Sequence, residues 1–172
     1  MTDDVQDNVA EMGKHPRAFA WVSMIGGPAL AAFLLLMLFN GSALSQLVNE
    51  PSWYYFSAAF YQPTLFALFL GVCALPVSGL FLWRLIKKLP SFEAFPHQFF
   101  VMNATMAGAI FGFLFAIAIN LVFEVFSSKP DLASIRGEMF ISVVISTIIG
   151  AMLSFVASHI CLVIGRLAKW IN

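Results

Sequence analysis

The sequence predicts an all-α integral membrane protein in which four transmembrane helices form two antiparallel hairpins. Three observations lead to this fold class. Hydrophobic residues make up 60% of the chain and charged residues only 10%, against roughly 45–50% and about 25% in soluble globular proteins. Four apolar segments reach the roughly 20 residues that a helix needs to cross a bilayer. Lysine and arginine cluster beside the ends of those segments, as in membrane proteins of defined orientation.

The connections between the four segments are short, so we expect a single membrane domain at 18–172 behind a short cytoplasmic tail at 1–17. A retained first span is favoured over a cleaved signal peptide, because the leader carries four acidic residues and the apolar stretch is longer than a usual signal-peptide core. Trp53, Tyr54 and Tyr55 in the first external loop are typical of the aromatic belt at a membrane surface. The predicted spans cover residues 18–39, 60–83, 99–123 and 139–165.

The distribution of basic residues predicts that both termini and the loop between the second and third spans are cytoplasmic. Cytoplasmic loops carry an excess of lysine and arginine, and seven of the nine basic residues fall on this side. Only Lys129 and Arg136 fall on the other side. A bacterial inner (plasma) membrane is the expected location. The basic residues expected at the cytoplasmic membrane surface are Arg84, Lys87, Lys88, Arg166 and Lys169.

The middle loop, at about 84–98, mixes basic with aromatic residues. Such a segment can lie on an anionic leaflet. We therefore expect Phe92 and Phe95 to insert into the membrane surface while the lysines contact headgroups.

Small residues recur every four positions in the third and fourth spans. Positions i and i+4 share one face of a helix, and membrane helices associate where small residues let two backbones approach. The two ridges pack either against each other or, in the sharper hypothesis, against a partner helix or a second copy. The ridge residues are Ala104, Gly108, Gly112 and Ala116 in the third span, and Ser142, Ser146, Gly150 and Ser154 in the fourth.

Polar and ionisable residues within or beside the spans are candidates for function, because burying them in a membrane is costly. The two glutamates of this set lie at external span ends, where they could bind a cation or pair with the nearby arginine. The histidine is expected to bond a neighbouring serine rather than to ligate a metal. The set consists of Asn120, Glu124, Arg136, Glu138 and His159.

Glycine and proline interrupt the first two spans. Gly26, Gly27 and Pro28 lie in the first, and Pro63 and Pro76 in the second. Proline removes a backbone hydrogen bond and kinks a helix. Broken helices mark substrate sites in some transporters, whereas a plain kink is the more ordinary outcome.

A weak internal repeat relates the two halves of the chain. A shift of 82 positions aligns 15–90 with 97–172, and ten of the 76 pairs are identical, Gly26 with Gly108 among them. A duplicated hairpin would give this pattern, and the repeat would be parallel because an even number of spans separates the halves. The alternative is that two unrelated hairpins share the same topology and that basic residues follow the last span of each.

No sequence pattern points to catalysis, a metal or a cofactor. Cys73 and Cys161 are too far apart for a C-x-x-C motif and are expected to be buried free thiols. Phosphate-loop, zinc-protease and hydrolase-nucleophile motifs are missing. Nine basic and nine acidic residues cancel, which gives no field for nucleic acid. We expect no enzyme, no cofactor and no nucleic-acid partner.

Two functions fit these observations. The first is a non-catalytic membrane protein that acts through helix–helix contacts with a membrane partner, as an accessory or assembly subunit or an immunity or exclusion protein. The alternative is a small oligomeric transporter or channel for an ion or a hydrophobic solute, favoured by the prolines and by the polar line Asn103, Asn120, Glu124. Few charges lie inside the spans, which weakens an ion pathway but not a hydrophobic one.

Overall fold

The computed structural model describes residues 15–92, 94–126 and 132–171, without the side chains of 38, 124–126 and 132–138. Throughout the described ranges the regular structure is helical, which confirms the all-α prediction. Most of the predicted tail at 1–17 falls outside the described residues. The α-helices are α1 (Pro16–Phe39), α2 (Gly41–Asn49), α3 (Trp53–Phe56), α4 (Gln62–Lys88), α5 (His97–Phe126) and α6 (Leu132–Leu167).

Four helical segments are long and apolar enough to cross a membrane, as the sequence predicts. The second is longer than predicted. It runs for 39 residues because α3, a π-helical turn, α4 and a short 3-10 turn follow one another without a break. The four segments are Pro16–Met37, Trp53–Ser91, His97–Phe123 and Met139–Leu167.

The π-helical turn at Ser57–Tyr61 has a local cause in Pro63. A proline ring clashes with the carbonyl group four residues earlier, and its nitrogen has no hydrogen to donate. The wider turn makes room for this ring. The hydroxyl group of Thr64, the next residue, donates to the Phe60 carbonyl at 2.6 Å, the usual bond of a helical threonine to the carbonyl four residues earlier.

The other prolines do not break their helices. Pro28 lies inside α1 and Pro76 inside α4, and both helices continue through them. Of the two alternatives for these prolines, a broken helix is therefore excluded in the first span, whereas a plain kink is compatible with a continuous helix. Neither helix presents the unwound backbone of a broken-helix substrate site.

A helix that the sequence analysis did not predict, α2, occupies the first connection. Ala43, Leu44 and Leu47 share one face of it and are half-buried, while Val48 is exposed. The apolar residues thus recur at helical spacing, in a segment too short and too polar to resemble a membrane span. Trp53 of the predicted aromatic belt is also largely exposed.

The spanning helices pack most extensively in two pairs, α1 with α4 and α5 with α6. We call these the α1–α4 pair and the α5–α6 pair. Gly108 contacts Ser154, and farther along α5 Asn120 contacts Ser142, so α5 and α6 run antiparallel. Contacts between the two pairs are fewer than contacts within them.

The main buried core lies at one end of the bundle. The ring of Phe19 meets the ring of Phe95 edge to face, with centroids 5.1 Å apart, and also contacts Phe100. The His15 amide donates to the Trp170 carbonyl at 3.1 Å, which joins the start of α1 to the residues after α6. The core consists of Phe19, Ala20, Met24, Leu82, Leu85, Leu89, Phe95, Phe100, Leu162 and Ile171.

The expectation for Phe95 is wrong. Its side chain is 2% exposed and packs inside this core, so the middle loop folds onto the bundle at Phe95 instead of placing that ring on the membrane surface. An aromatic side chain gains more contacts among three helices than at an interface. The same end of the bundle carries the basic cluster and is called the basic end: Arg84, Lys87, Lys88, Arg166 and Lys169.

Candidate functional site

The two small-residue ridges face each other within the chain. A Cβ atom built on Gly108 would overlap the side chain of Ser154 and the carbonyl oxygen of Gly150. One built on Gly112 would overlap the carbonyl oxygen of Ser146. The backbones of α5 and α6 are therefore in direct contact, and only glycine fits at these positions.

The remaining ridge residues lie on either side of these glycines. Ala116 is buried, and Ala104 packs against the core at the basic end. Ser142 accepts a hydrogen bond from Asn120 Nδ2 at 3.2 Å, and the same amide donates to the Ala116 carbonyl at 2.7 Å. The amide thus ties its own helix to α6 near the far end of the bundle.

The predicted acidic pair is Glu124 and Glu138, with Arg136 close to them in sequence. The side chains of Glu124, Arg136 and Glu138 lie outside the described residues. Among the residues that the structure does describe, no three His, Cys, Asp or Glu side chains are grouped as a metal site would require.

The sequence predicts a hydrogen bond between His159 and a neighbouring serine. The side chain of His159 instead hydrogen-bonds to a backbone carbonyl group. Its Nδ1 donates to the Phe155 carbonyl oxygen at 2.8 Å, and its ring lies 4.3 Å from the Phe155 ring, centroid to centroid. The hydrogen bond to a carbonyl requires the proton on Nδ1. The side chain is exposed on the surface of α6.

The cysteines are free, as predicted, but their burial differs from the prediction. Cys161 is half-buried, whereas Cys73 is exposed on the surface of α4. A free thiol in the middle of an apolar helix behaves as a small hydrophobic group.

A cavity of about 230 Å³ lies between the two helix pairs, where no sequence pattern predicts one. All four spanning helices line it. The α5–α6 pair contributes Gly108, Gly112 and Gly150, which are also the residues of the close backbone contact. Small residues of the other pair complete the wall: Gly27, Ala31 and Ala32 of α1 and Ala74 of α4.

The cavity is elongated and its polarity is uneven. Its lining on α1 extends from Ser23 to Leu35, roughly 18 Å along the helix axis. Three buried serines, Ser23, Ser78 and Ser158, line the part nearest the core, each within about one helical turn of a core residue on its own helix. Beyond them the lining is mostly alanine, glycine, leucine and phenylalanine, with Ser154 and Ser146 of α6 among these residues.

The basic end holds its cations against aromatic rings and one histidine. Lys87 Nζ lies 3.8 Å from the centre of the Trp83 ring. Lys88 Nζ lies 5.2 Å from the centre of the Phe99 ring. Such contacts stabilise a cation at a partly apolar surface. They position the basic residues where the sequence analysis expects a membrane surface.

No family model, curated protein or solved structure matches this chain. The function is therefore inferred from the cavity and from the surfaces of the bundle.

Proposed function

We propose that the chain is a non-catalytic membrane protein that binds an elongated hydrophobic molecule in the cavity between its helix pairs. This is the hydrophobic-solute form of the transporter hypothesis. The observation that supports it is the apolar cavity lined by all four spanning helices. Apolar cavities stay dry and take up apolar ligands. In a bilayer the available ligands of this shape are acyl and isoprenoid chains.

The serines restrict the ligand class. Ser23, Ser78 and Ser158 place three hydroxyl groups at one end of a mostly apolar lining, and Ser154 and Ser146 add two more along α6. A ligand with one small polar group, such as a fatty acid or a long-chain alcohol, would donate a hydrogen bond to one of these hydroxyl oxygens and place its hydrocarbon against the alanines and glycines. The hydrocarbon of the ligand would supply the dispersion contacts that these small side chains do not make with one another across the cavity.

We also propose that the basic end faces the cytoplasm. The lysines and arginines of that end support this orientation under the positive-inside rule. Both termini and the connection between α4 and α5 then lie at the cytoplasmic face of a bacterial inner membrane, with α2 and α3 outside.

Filling the cavity tests the proposal. Gly27 lines the cavity, and a Cβ atom added there would meet nothing within 4 Å, so Gly27→Leu inserts a side chain without a backbone clash. Gly79 of α4 is equally open but does not line the cavity, which makes Gly79→Leu the matched control. Both changes replace a helical glycine with a better helix former.

The readout is photolabelling by a diazirine derivative of palmitic acid in phosphatidylcholine vesicles. We expect wild type and Gly79→Leu to be labelled on cavity-lining peptides. Labelling of these peptides in Gly27→Leu should be about tenfold lower, because leucine occupies the site. Equal cavity labelling of all three proteins would exclude the cavity as a binding site.

Contact with a membrane partner is the second candidate function, and the surface of α6 favours it. In the most apolar part of this helix no described residue is buried, which distinguishes it from the other three spans. The small-residue ridge faces α5, so a partner would contact the opposite face. That face presents Phe140, Ile141, Ile145, Ile148 and Met152.

Purification from native membranes in mild detergent, followed by native mass spectrometry, separates the two functions. A foreign membrane protein in constant stoichiometry would support an accessory or immunity role. A homo-oligomer without a foreign protein would favour the transporter hypothesis, of which ligand binding is one form. The chain with co-purified lipid alone would favour ligand binding.

A further inference from the structure

A second groove, on the outer face of the α5–α6 pair, has a cationic end and a mostly apolar floor, with Thr105 and His159 also in its lining. It has a volume of about 650 Å³, and among the described residues none lines both this groove and the cavity between the pairs. His97, Gln98 and Arg166 form its end, whereas Met102 and Phe155 lie on its floor. Both floor side chains are nearly half exposed, so the groove opens toward the surrounding lipid.

The cation of the groove is positioned by a contact across the two helices. Arg166 Nη2 donates to His97 Nε2 at 3.0 Å, and the arginine side chain is otherwise exposed. A guanidinium has five N–H donors in a planar fork that matches the oxygens of a phosphate group. One donor holds the side chain at the end of the groove, and the others remain available for an anion.

The charges that the structure describes at this end of the bundle favour an anionic ligand. Glu50 is the sole acidic residue whose side chain the structure describes, and it follows α2 at the opposite end. The described charges around the groove's end therefore come from lysine and arginine. Among them Arg166 lines the groove, and its guanidinium attracts an anion more strongly at a low-dielectric surface than in bulk water.

The length of the groove matches one leaflet. From Arg166 to Phe155 the lining of α6 extends roughly 17 Å along the helix. The hydrocarbon core of a bilayer is about 30 Å thick, so half of it is about 15 Å. A groove that begins at a cation and ends near the bilayer centre has the dimensions of a single lipid of that leaflet.

We propose that this groove binds one anionic glycerophospholipid, with its phosphate on the Arg166 guanidinium and an acyl chain along Met102, Met106 and Phe155. The site is independent of the proposed function, because its residues do not line the cavity. His97 acts as the positioning residue that holds the guanidinium toward the headgroup.

The test is native mass spectrometry of the delipidated full chain in neutral detergent, titrated with phosphatidylglycerol or with phosphatidylcholine of the same acyl chains. We expect wild type to bind the first phosphatidylglycerol about tenfold more tightly, as a charge-assisted phosphate contact allows. Arg166→Gln should remove this preference. Arg166→Lys should retain part of it, since the charge stays but the fork is lost.

Lys169→Gln is the matched control, because it removes one exposed cation from the same end without touching the groove. It should keep the preference of wild type. Equal losses in Arg166→Gln and Lys169→Gln at unchanged melting temperature would overturn the proposal and indicate a general surface charge. Competition by millimolar glycerol 3-phosphate or inorganic phosphate as strong as by lipid would also overturn it, because a free anion has no acyl chain.

Discussion

Gly108 of α5 and Gly150 of α6 face each other with no room for a side chain on either. A Cβ atom on Gly108 would overlap the Gly150 carbonyl oxygen, and one on Gly150 would overlap the Gly108 carbonyl oxygen. Lipid offers apolar side chains no reason to associate with each other, so close backbone contact is a main source of stability between membrane helices. This contact makes the α5–α6 pair the rigid wall of the cavity.

We predict that Gly108→Ala lowers the free energy of unfolding by about 1–3 kcal/mol, because the added methyl group forces the two backbones apart. Gly79→Ala is the control, since Gly79 also lies in a helix but has open space around it. That change should stabilise by about 0.5–1 kcal/mol, because alanine is the better helix former. Unfolding in mixed detergent micelles measures both. Equal effects of the two alanines would show that the close contact does not exist.

The α1–α4 pair has a similar but less close contact. It predicts that a second substitution can restore part of the stability lost through the first. A Cβ atom on Gly71 would lie 2.8 Å from the Cβ of Ala29. Gly71→Ala should therefore destabilise, and the double variant Gly71→Ala with Ala29→Gly should recover part of the loss, because the two methyl groups exchange places. A double-mutant cycle on the free energies of unfolding gives the coupling. Additive effects would mean that the two residues do not touch.

The four spans and the facing ridges could be predicted from the sequence because both follow from local spacing. Hydrophobic length sets a span, and a repeat of four sets a helix face. Gly108 and Gly150 were singled out on this basis. The structure adds which faces meet.

The cavity and the position of Phe95 could not be predicted, because they depend on how the two helix pairs sit together. An alanine such as Ala74 gives the same sequence pattern whether it lies in a tight helix contact or beside a cavity. The repeat illustrates the same limit: Gly26 aligns with Gly108, yet Gly26 is in open space and Gly108 is in contact with α6. Identical residues in the two halves thus have different packing roles.

The aromatic core at the basic end should be essential for stability. Phe95→Ala removes a ring that is 2% exposed and contacts both Phe19 and Phe100. We expect a loss of about 3 kcal/mol in the free energy of unfolding, as for other buried phenylalanines. Phe69→Ala, at a lipid-facing position that is 59% exposed, is the control and should change stability little. A melting temperature lowered equally by both changes would contradict the assignment of the core.

The hydrogen bond from Asn120 to Ser142 should contribute only modestly. Hydrogen bonds between membrane helices average about 0.6 kcal/mol in double-mutant cycles, and Asn120 has a second acceptor in the Ala116 carbonyl. We predict a coupling of this size between Asn120→Ala and Ser142→Ala. Ligand labelling of the cavity should be unchanged in Asn120→Ala, because the amide does not line the cavity. Loss of labelling in a folded Asn120→Ala protein would place the ligand elsewhere.

The orientation of the bundle can be tested with single cysteines. In a background where Cys73 and Cys161 are alanine, Val48→Cys introduces a thiol at a position of α2 that is 82% exposed. Lys169→Cys introduces one at the basic end. With the basic end in the cytoplasm, a membrane-impermeant maleimide added to intact cells should label Val48→Cys, and should reach Lys169→Cys only after the membrane is opened. The reverse pattern would invert the orientation and place the groove at Arg166 in the opposite leaflet. Labelling of both thiols in intact cells would indicate a mixed orientation, in which basic residues do not determine how the chain inserts.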